Sequence, residues 1–279
     1  MSTDSPLRVD NKAALTNRDG PSVCCLMGAI IEGRSEQAER LRGYFEVQLL
    51  FAGVIADRTS RPLPDVCLEF TNLHRRLGLG RTDGGAPSSR WMRYAAGLDR
   101  CASGQDRLEW TLAFFAGASP EESATRRFGC FSFELLKPDD VVRLHFSNRD
   151  SADGCGPLAR IKADRRMSEL RQMFGFIQAH HPTAHIVRGG SWLYNLEAYR
   201  RLFPPDYAAS TFEPERVRLD GTSSWGQLLD FRELVKPTIR QALLDNMRGL
   251  DITAPWKAFP MRALGAQGEI EQFYRFYSR

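Results

Sequence analysis

The sequence predicts an α+β protein, with a helical N-terminal region followed by a mixed β-sheet flanked by helices. Three observations carry this. From Ser35 to about Arg127, apolar residues recur at helical spacing. At Gly129 the pattern switches to strict alternation. From there the order reads strand, strand, helix, strand, helix, so the helix connects two strands expected to be parallel. With 279 residues, 42% hydrophobic and 26% charged, the chain is long and apolar enough for a packed core. The expected organisation is a mobile tail over 1–20, a helical region over 21–127 and an α/β region over 128–279.

Taken in order, Ser35 caps a helix to about Arg58, with Leu41, Phe45, Gln48, Leu49, Ala52 and Ile55 on one face. A second helix is expected over 64–77, stopped by Gly78. Gly80–Ser88 reads as a loop, and helices follow over 89–98 and 106–116. Ser119-Pro120-Glu121-Glu122 has the form of a helix start and predicts a short helix ending by Arg127. Phe131, Phe133 and Leu135, then Val142, Leu144 and Phe146, alternate with polar neighbours across the turn Lys137-Pro138-Asp139-Asp140, which predicts a β-hairpin. A glycine-rich loop spans 147–157, and a helix runs from Ile161 to His180, ended by Pro182. A strand at 184–188 leads through Gly189-Gly190 into a helix reaching Phe203. Beyond lie an expected strand at 211–218 and helices at 224–235, 237–249 and 269–277.

Composition narrows the classes of function. The 38 Lys and Arg exceed the 34 Asp and Glu by four, and no basic run is longer than Arg-Arg, which argues against a nucleic-acid protein. No segment reaches the ~18 apolar residues that a membrane span needs. The run Val23–Ile31 follows about twenty polar residues and lacks a basic leader, so a cytoplasmic protein is expected. The six cysteines include no Cys-x-x-Cys pair, and Pro182 keeps His181 and His185 off a shared helical face. No metal site is expected.

The segment Arg188-Gly189-Gly190-Ser191-Trp192-Leu193-Tyr194 draws most attention. Glycines allow close backbone approach, a serine at a helix start offers a hydroxyl beside free amides, and arginine adds a planar cationic fork. Arg188, Gly189, Gly190, Ser191, Trp192 and Tyr194 are therefore candidate substrate-binding residues. Ser191 is either a helix cap or a ligand contact. As a nucleophile elbow it fails, because Leu193 stands where glycine is required and no histidine follows. On the hairpin, Glu134 and His145 share the polar face with Arg143. They read either as a solvated surface or as a general base and its partner. His74, Arg75 and Arg76 suit the C-terminal end of their helix by its dipole, or a substrate anion.

The element order from Gly129 resembles the middle of the GNAT-like acyltransferase fold. Short segments strengthen the likeness. Leu73-His74-Arg75-Arg76, Phe128-Gly129-Cys130-Phe131-Ser132-Phe133-Glu134, Val142-Arg143-Leu144-His145-Phe146, Gly156-Pro157-Leu158, Ser191-Trp192-Leu193 and Phe203-Pro204-Pro205 occur in this order. They are similar to words of bacterial N-acyltransferases that join a helical N-terminal domain to a GNAT-like C-terminal one. The chain also resembles a bacterial family sharing Thr71–Arg76 and Gly189–Asn195, a likeness that implies no activity. The first resemblance implies acyl-CoA as donor, with the amides of Gly154, Cys155 and Gly156 on its pyrophosphate. Ser151 stands where that family's loop has Arg or Gln, and Pro157 removes one amide donor. Two functions follow. One is acyl transfer from acyl-CoA to a small-molecule amine or hydroxyl, with Glu134 or His145 removing the proton. The other is a non-catalytic protein that binds an anionic metabolite, or assembles with a partner, through the same cleft. The acyl donor and acceptor, the oligomeric state and any protein partner are not specified by these residues.

Overall fold

The computed structural model describes residues 23–79, 87–117, 126–151 and 153–278. The expected tail over 1–20, most of the 80–88 loop and the helix start at Ser119–Glu122 lie outside these residues. Helices α1 (Val23–Thr59), α2 (Leu63–Phe70), α3 (Leu73–Arg76), α4 (Ser89–Leu98) and α5 (Gly104–Ala116) come first. Then come β1 (Arg127–Phe128), β2 (Phe131–Leu136), β3 (Val141–Phe146), α6 (Ala163–His180) and β4 (Ile186–Ser191). The rest comprises α7 (Glu197–Arg200), α8 (Pro205–Ala209), α9 (Thr222–Trp225), α10 (Pro237–Met247), β5 (Leu264–Glu269) and α11 (Ile270–Tyr277). The protein is thus α+β, with a helical N-terminal region and a mixed sheet. Among the described residues, no helix is long and apolar enough to cross a membrane.

The apolar stripe of α1 behaves as its spacing requires: Leu41, Phe45, Gln48, Ala52 and Ile55 are all buried. Ser88 caps α4 through the amide of Trp91, and Ser103 with Asp106 forms a reciprocal capping box on α5. The helix expected over 64–77 is broken instead at Thr71-Asn72. The Thr71 hydroxyl donates to the Cys67 carbonyl, and the Asn72 amide leaves the helical ladder to donate to the buried Gln48 side chain. Asn72 Oδ1 in turn accepts from Tyr44. This buried network turns the chain, so that Arg75 on α3 projects outward.

The sheet has the order β1-β2-β3-β4-β5. Strands β2 and β3 form the expected antiparallel hairpin, with Ser132 opposite His145 and Glu134 opposite Arg143. β3 and β4 are parallel, linked by α6. They pair at only three positions, ending with Arg143 opposite Arg188, and from there each strand continues without the other. β4 therefore lies two to three residues later than the expected 184–188. The antiparallel partner β5 was not expected from the sequence.

The expected strand at 211–218 does not form. Its one ladder contact is Phe212 with Gly265: Pro214 lacks an amide donor, and Glu213, Glu215 and Arg216 are exposed. The segment becomes an extended strap. The helix expected up to Phe203 is instead a 3-10 turn at 192–195 followed by the single turn of α7, separated by an extended Leu196. The helix expected over 224–235 shrinks to α9 plus one 3-10 turn, and Leu229 then bridges back to Val235.

Two apolar cores result. The second is built from the inner face of the sheet, α6, α11 and the aromatic group Tyr194, Tyr199, Phe203 and Tyr207. The first joins α1, α2, α4 and α5 to Leu219, Trp225, Leu228, Leu243 and Phe259. Residues 219–259, which lie between β4 and β5 in sequence, thus return to the helical core.

Candidate functional site

Side chains alternate across a strand, so the face of the sheet opposite its core collects every second residue. Two cross-strand rows form there. One runs Glu134, Arg143, Arg188, Gln267, and the other Arg127, Ser132, His145. The strap over 214–223 passes in front of them, and Arg75 reaches in from α3. Together they enclose a cleft of about 790 Å³, which includes Arg127, Ser132, Glu134, Arg143, His145 and Arg188. It lies where β3 and β4 part.

The chemistry is cationic around one base. Glu134 Oε2 is 3.3 Å from Arg143 and 3.5 Å from Nε2 of His145. Burial pushes the His145 imidazole below its usual 6.5; Glu134 pulls it back up, and Arg143 and Arg75 add to the lowering. The lowering favours the neutral ring, whose lone pair can take a proton. Asp220 neutralises Arg218 at 2.6 Å and pairs with Arg75 at 3.6 Å. Arg188 donates its Nε to Gln267 at 2.8 Å. Among the described residues, neither Arg188 nor Arg216 has a carboxylate partner. An entering carboxylate or phosphate would meet these two guanidinium groups and that of Arg127, which likewise has no carboxylate partner among the described residues.

The Arg-Gly-Gly-Ser segment divides. Arg188, Gly189 and Gly190 line the cleft. Ser191, Trp192 and Tyr194 are not among the lining residues. The Ser191 hydroxyl accepts from the Leu193 amide at 3.1 Å, which is its capping role. Trp192 packs against Gly226 and carries Lys236 Nζ over its ring at 4.9 Å. Tyr194 is buried and bonded to Tyr207 at 2.6 Å. Gly189 is required by packing: a β-carbon there would lie 1.7 Å from the Tyr194 hydroxyl. At Gly190 the corresponding space is open.

The loop holding Gly154, Cys155 and Gly156 is built around a cation. Lys162, buried just before α6, donates to the Asp150 carbonyl at 2.6 Å, to Asp153 at 2.7 Å and to the Cys155 carbonyl at 3.0 Å. The Gly154 amide is spent on Ser151 and that of Cys155 on Asp153. Burial opposes the charge on Asp150, but hydrogen bonds from Lys162, Arg165 and Arg166 outweigh it and hold the carboxyl below its usual range. A loop that presents carbonyls and carboxylates inward does not fit a pyrophosphate.

No family model, curated protein or solved structure matches the chain. Among the described residues, no group of three or more His, Cys, Asp or Glu is placed to hold a metal ion.

Sequence reasoning placed Glu134, His145, Arg188, Gly189 and Gly190 in this cleft but did not name Ser132, Arg127, Arg216 or Arg218 as site residues. The alternation that singled out Glu134 also puts Ser132 on the same face. The arginines of the strap carry no local signal, since an irregular segment brings them in from elsewhere in the chain.

Proposed function

We propose that the cleft is an acyl-transfer site acting on a small-molecule amine or hydroxyl. The observation that carries it is His145, 3.5 Å from Glu134, in a cleft also lined by Arg188 and Arg216, neither of which has a carboxylate partner among the described residues. In this reading His145 takes the proton as the amine or hydroxyl attacks the thioester carbonyl, Glu134 stabilises the imidazolium that forms, and as the C–S bond breaks the imidazolium returns the proton to the departing thiolate. Arg188 faces the oxygen on which negative charge develops, and Arg216 holds an anionic group of a substrate. Acyl-CoA is the donor class to test. Its diphosphate falls to the cleft arginines, since Asp150, Asp153 and the Cys155 carbonyl are turned onto Lys162.

Titration of acetyl-CoA by calorimetry, followed by a search for thiol release with an amine panel, tests the reading. Binding is expected to weaken roughly tenfold to a hundredfold in Arg188→Ala, the scale of a hydrogen bond to a charged group. No heat and no thermal shift at millimolar acetyl-CoA would overturn it. The closed loop favours a second reading, a cleft that binds an anionic metabolite without turnover. That reading predicts binding of small carboxylates or phosphates that Arg188→Ala weakens, with no thiol released.

The His145 environment gives a test independent of turnover. Its imidazole signal, followed by NMR, should titrate below pH 6.5. Glu134→Gln should lower the midpoint further, and Arg143→Met should raise it. The linkage follows: the neutral ring contributes stability that is complete above 6.5 and is lost as pH falls through the lower folded value. A midpoint at or above 6.5 in the unaltered protein would show that the ring is not shielded.

A further inference from the structure

On the sheet itself, two of the cleft's arginines have no carboxylate partner among the described residues, and they stand on opposite sides of His145. Arg188 lies on β4, one strand beyond it. Arg127 lies on β1, two strands away in the other direction, in the row Arg127, Ser132, His145. The proposed chemistry uses Arg188 and gives Arg127 no role. The carboxylates of the cleft are spent elsewhere: Glu134 faces Arg143, and Asp220 takes Arg218 and Arg75. Arg127 has a second cation beside it instead. Partial burial and the positive field of Arg149 both push its guanidinium below the usual value. Arg149 likewise has no carboxylate partner among the described residues. Holding two like charges together costs energy that a bound anion recovers. The spacing suits a short ligand. Neighbouring strands lie about 4.8 Å apart, so the Arg127 and His145 backbones are separated by about 10 Å. Only the short side chain of Ser132 lies between them in the row.

We infer that Arg127 anchors the acceptor, a small amine that also carries a carboxylate or phosphate: the anion rests on Arg127 and the amine reaches the His145 ring. The inference rests on the acyl-transfer reading and adds the acceptor's class to it. Donor and acceptor then approach His145 from opposite sides, the acyl oxygen at Arg188 and the acceptor's anion at Arg127. The amine nitrogen forms the C–N bond, its proton passes through His145 to the departing thiolate, and Arg127 makes and breaks no bond. A neutral amine offers Arg127 nothing and forgoes that charge-assisted hydrogen bond.

Thiol release from acetyl-CoA by the full chain tests this, with glycine, β-alanine and aminoethyl phosphate compared against glycinamide and β-alaninamide. The amides keep the length and lack the charge. The charged amines should show KM values roughly tenfold to a hundredfold below those of the amides, the scale of a hydrogen bond to a charged group. Arg127→Ala should raise the KM of the charged amines by a similar factor with kcat little changed, and Arg127→Lys should restore part of the loss. Whether the phosphate or the carboxylates have the lower KM identifies the anion. Arg127 is exposed, so the variants should fold, and thermal melts check that they do. Thiol release at equal KM for charged and neutral amines, or a charged-amine KM that Arg127→Ala leaves unchanged, overturns the inference and leaves acyl transfer standing. If no amine releases thiol, calorimetry with the same amines separates the two readings. Binding of the charged amines that Arg127→Ala weakens keeps the anion site and removes acyl transfer; no binding removes both.

Discussion

Arg166→Ala is expected to destabilise the protein by about 3 kcal/mol, because it leaves the largely covered Glu169 carboxylate without its counter-charge. Arg166 is 1% exposed, the most deeply buried charge among the described residues. It donates to Asp150 and to Glu169, each at 2.7 Å, and also to the Cys130 thiol. Glu169 receives the Cys130 amide at 3.0 Å on its other oxygen, so one arginine ties α6 to the hairpin and to the loop after β3. Asp150 keeps Lys162 and Arg165 when Arg166 is lost, and Glu169 bears most of the cost. Chemical denaturation should show the loss. Arg166→Met with Glu169→Gln should recover part of it, since no unpaired charge then remains buried. A loss below about 1 kcal/mol in Arg166→Ala, or no recovery in the double variant, would mean the cluster is solvated rather than structural.

Gly189→Ala should cost about 3 kcal/mol, from overpacking together with a lost buried hydrogen bond. The added methyl would fall 1.7 Å from the Tyr194 hydroxyl and 2.6 Å from that of Tyr207. Those hydroxyls are bonded to each other inside an aromatic cluster, where neither ring has space to withdraw. Gly190→Ala meets open space one residue later and serves as the control. Thermal melts comparing the two variants decide the point. Equal melting temperatures would show that the tyrosine pair yields easily.

Legibility followed the reach of the interactions. The hairpin was readable because its faces are set by alternation within the sixteen residues from Phe131 to Phe146, and α6 because its stripe of Leu170, Met173, Phe174 and Ile177 is continuous. Glu134 and His145 came with the hairpin. β5 was not readable: Leu264-Gly-Ala-Gln-Gly-Glu269 has two glycines and little apolar content, and it extends because β4 offers it an edge. The opposite happened at 211–218, where a plausible strand finds only one partner. The helix predicted over 64–77 failed at Thr71-Asn72, because the deciding partners, Gln48 and Tyr44, lie on another helix. Within the site, the same divide separates the strand residues from Arg75, Arg216 and Arg218, which only the tertiary fold brings to the cleft.

The return of residues 219–259 to the helical core bears on how the chain is made. Trp225, Leu228 and Leu243 complete the first core, and Ile270, Phe273 and Tyr277 complete the second. Neither core closes until nearly all 279 residues have left the ribosome. Until then α1 and the inner face of the sheet wait with apolar surface uncovered. Such long-range closure is slow, and it exposes the nascent chain to aggregation. A truncation at residue 205 would therefore remove parts of both cores at once, rather than releasing one intact half.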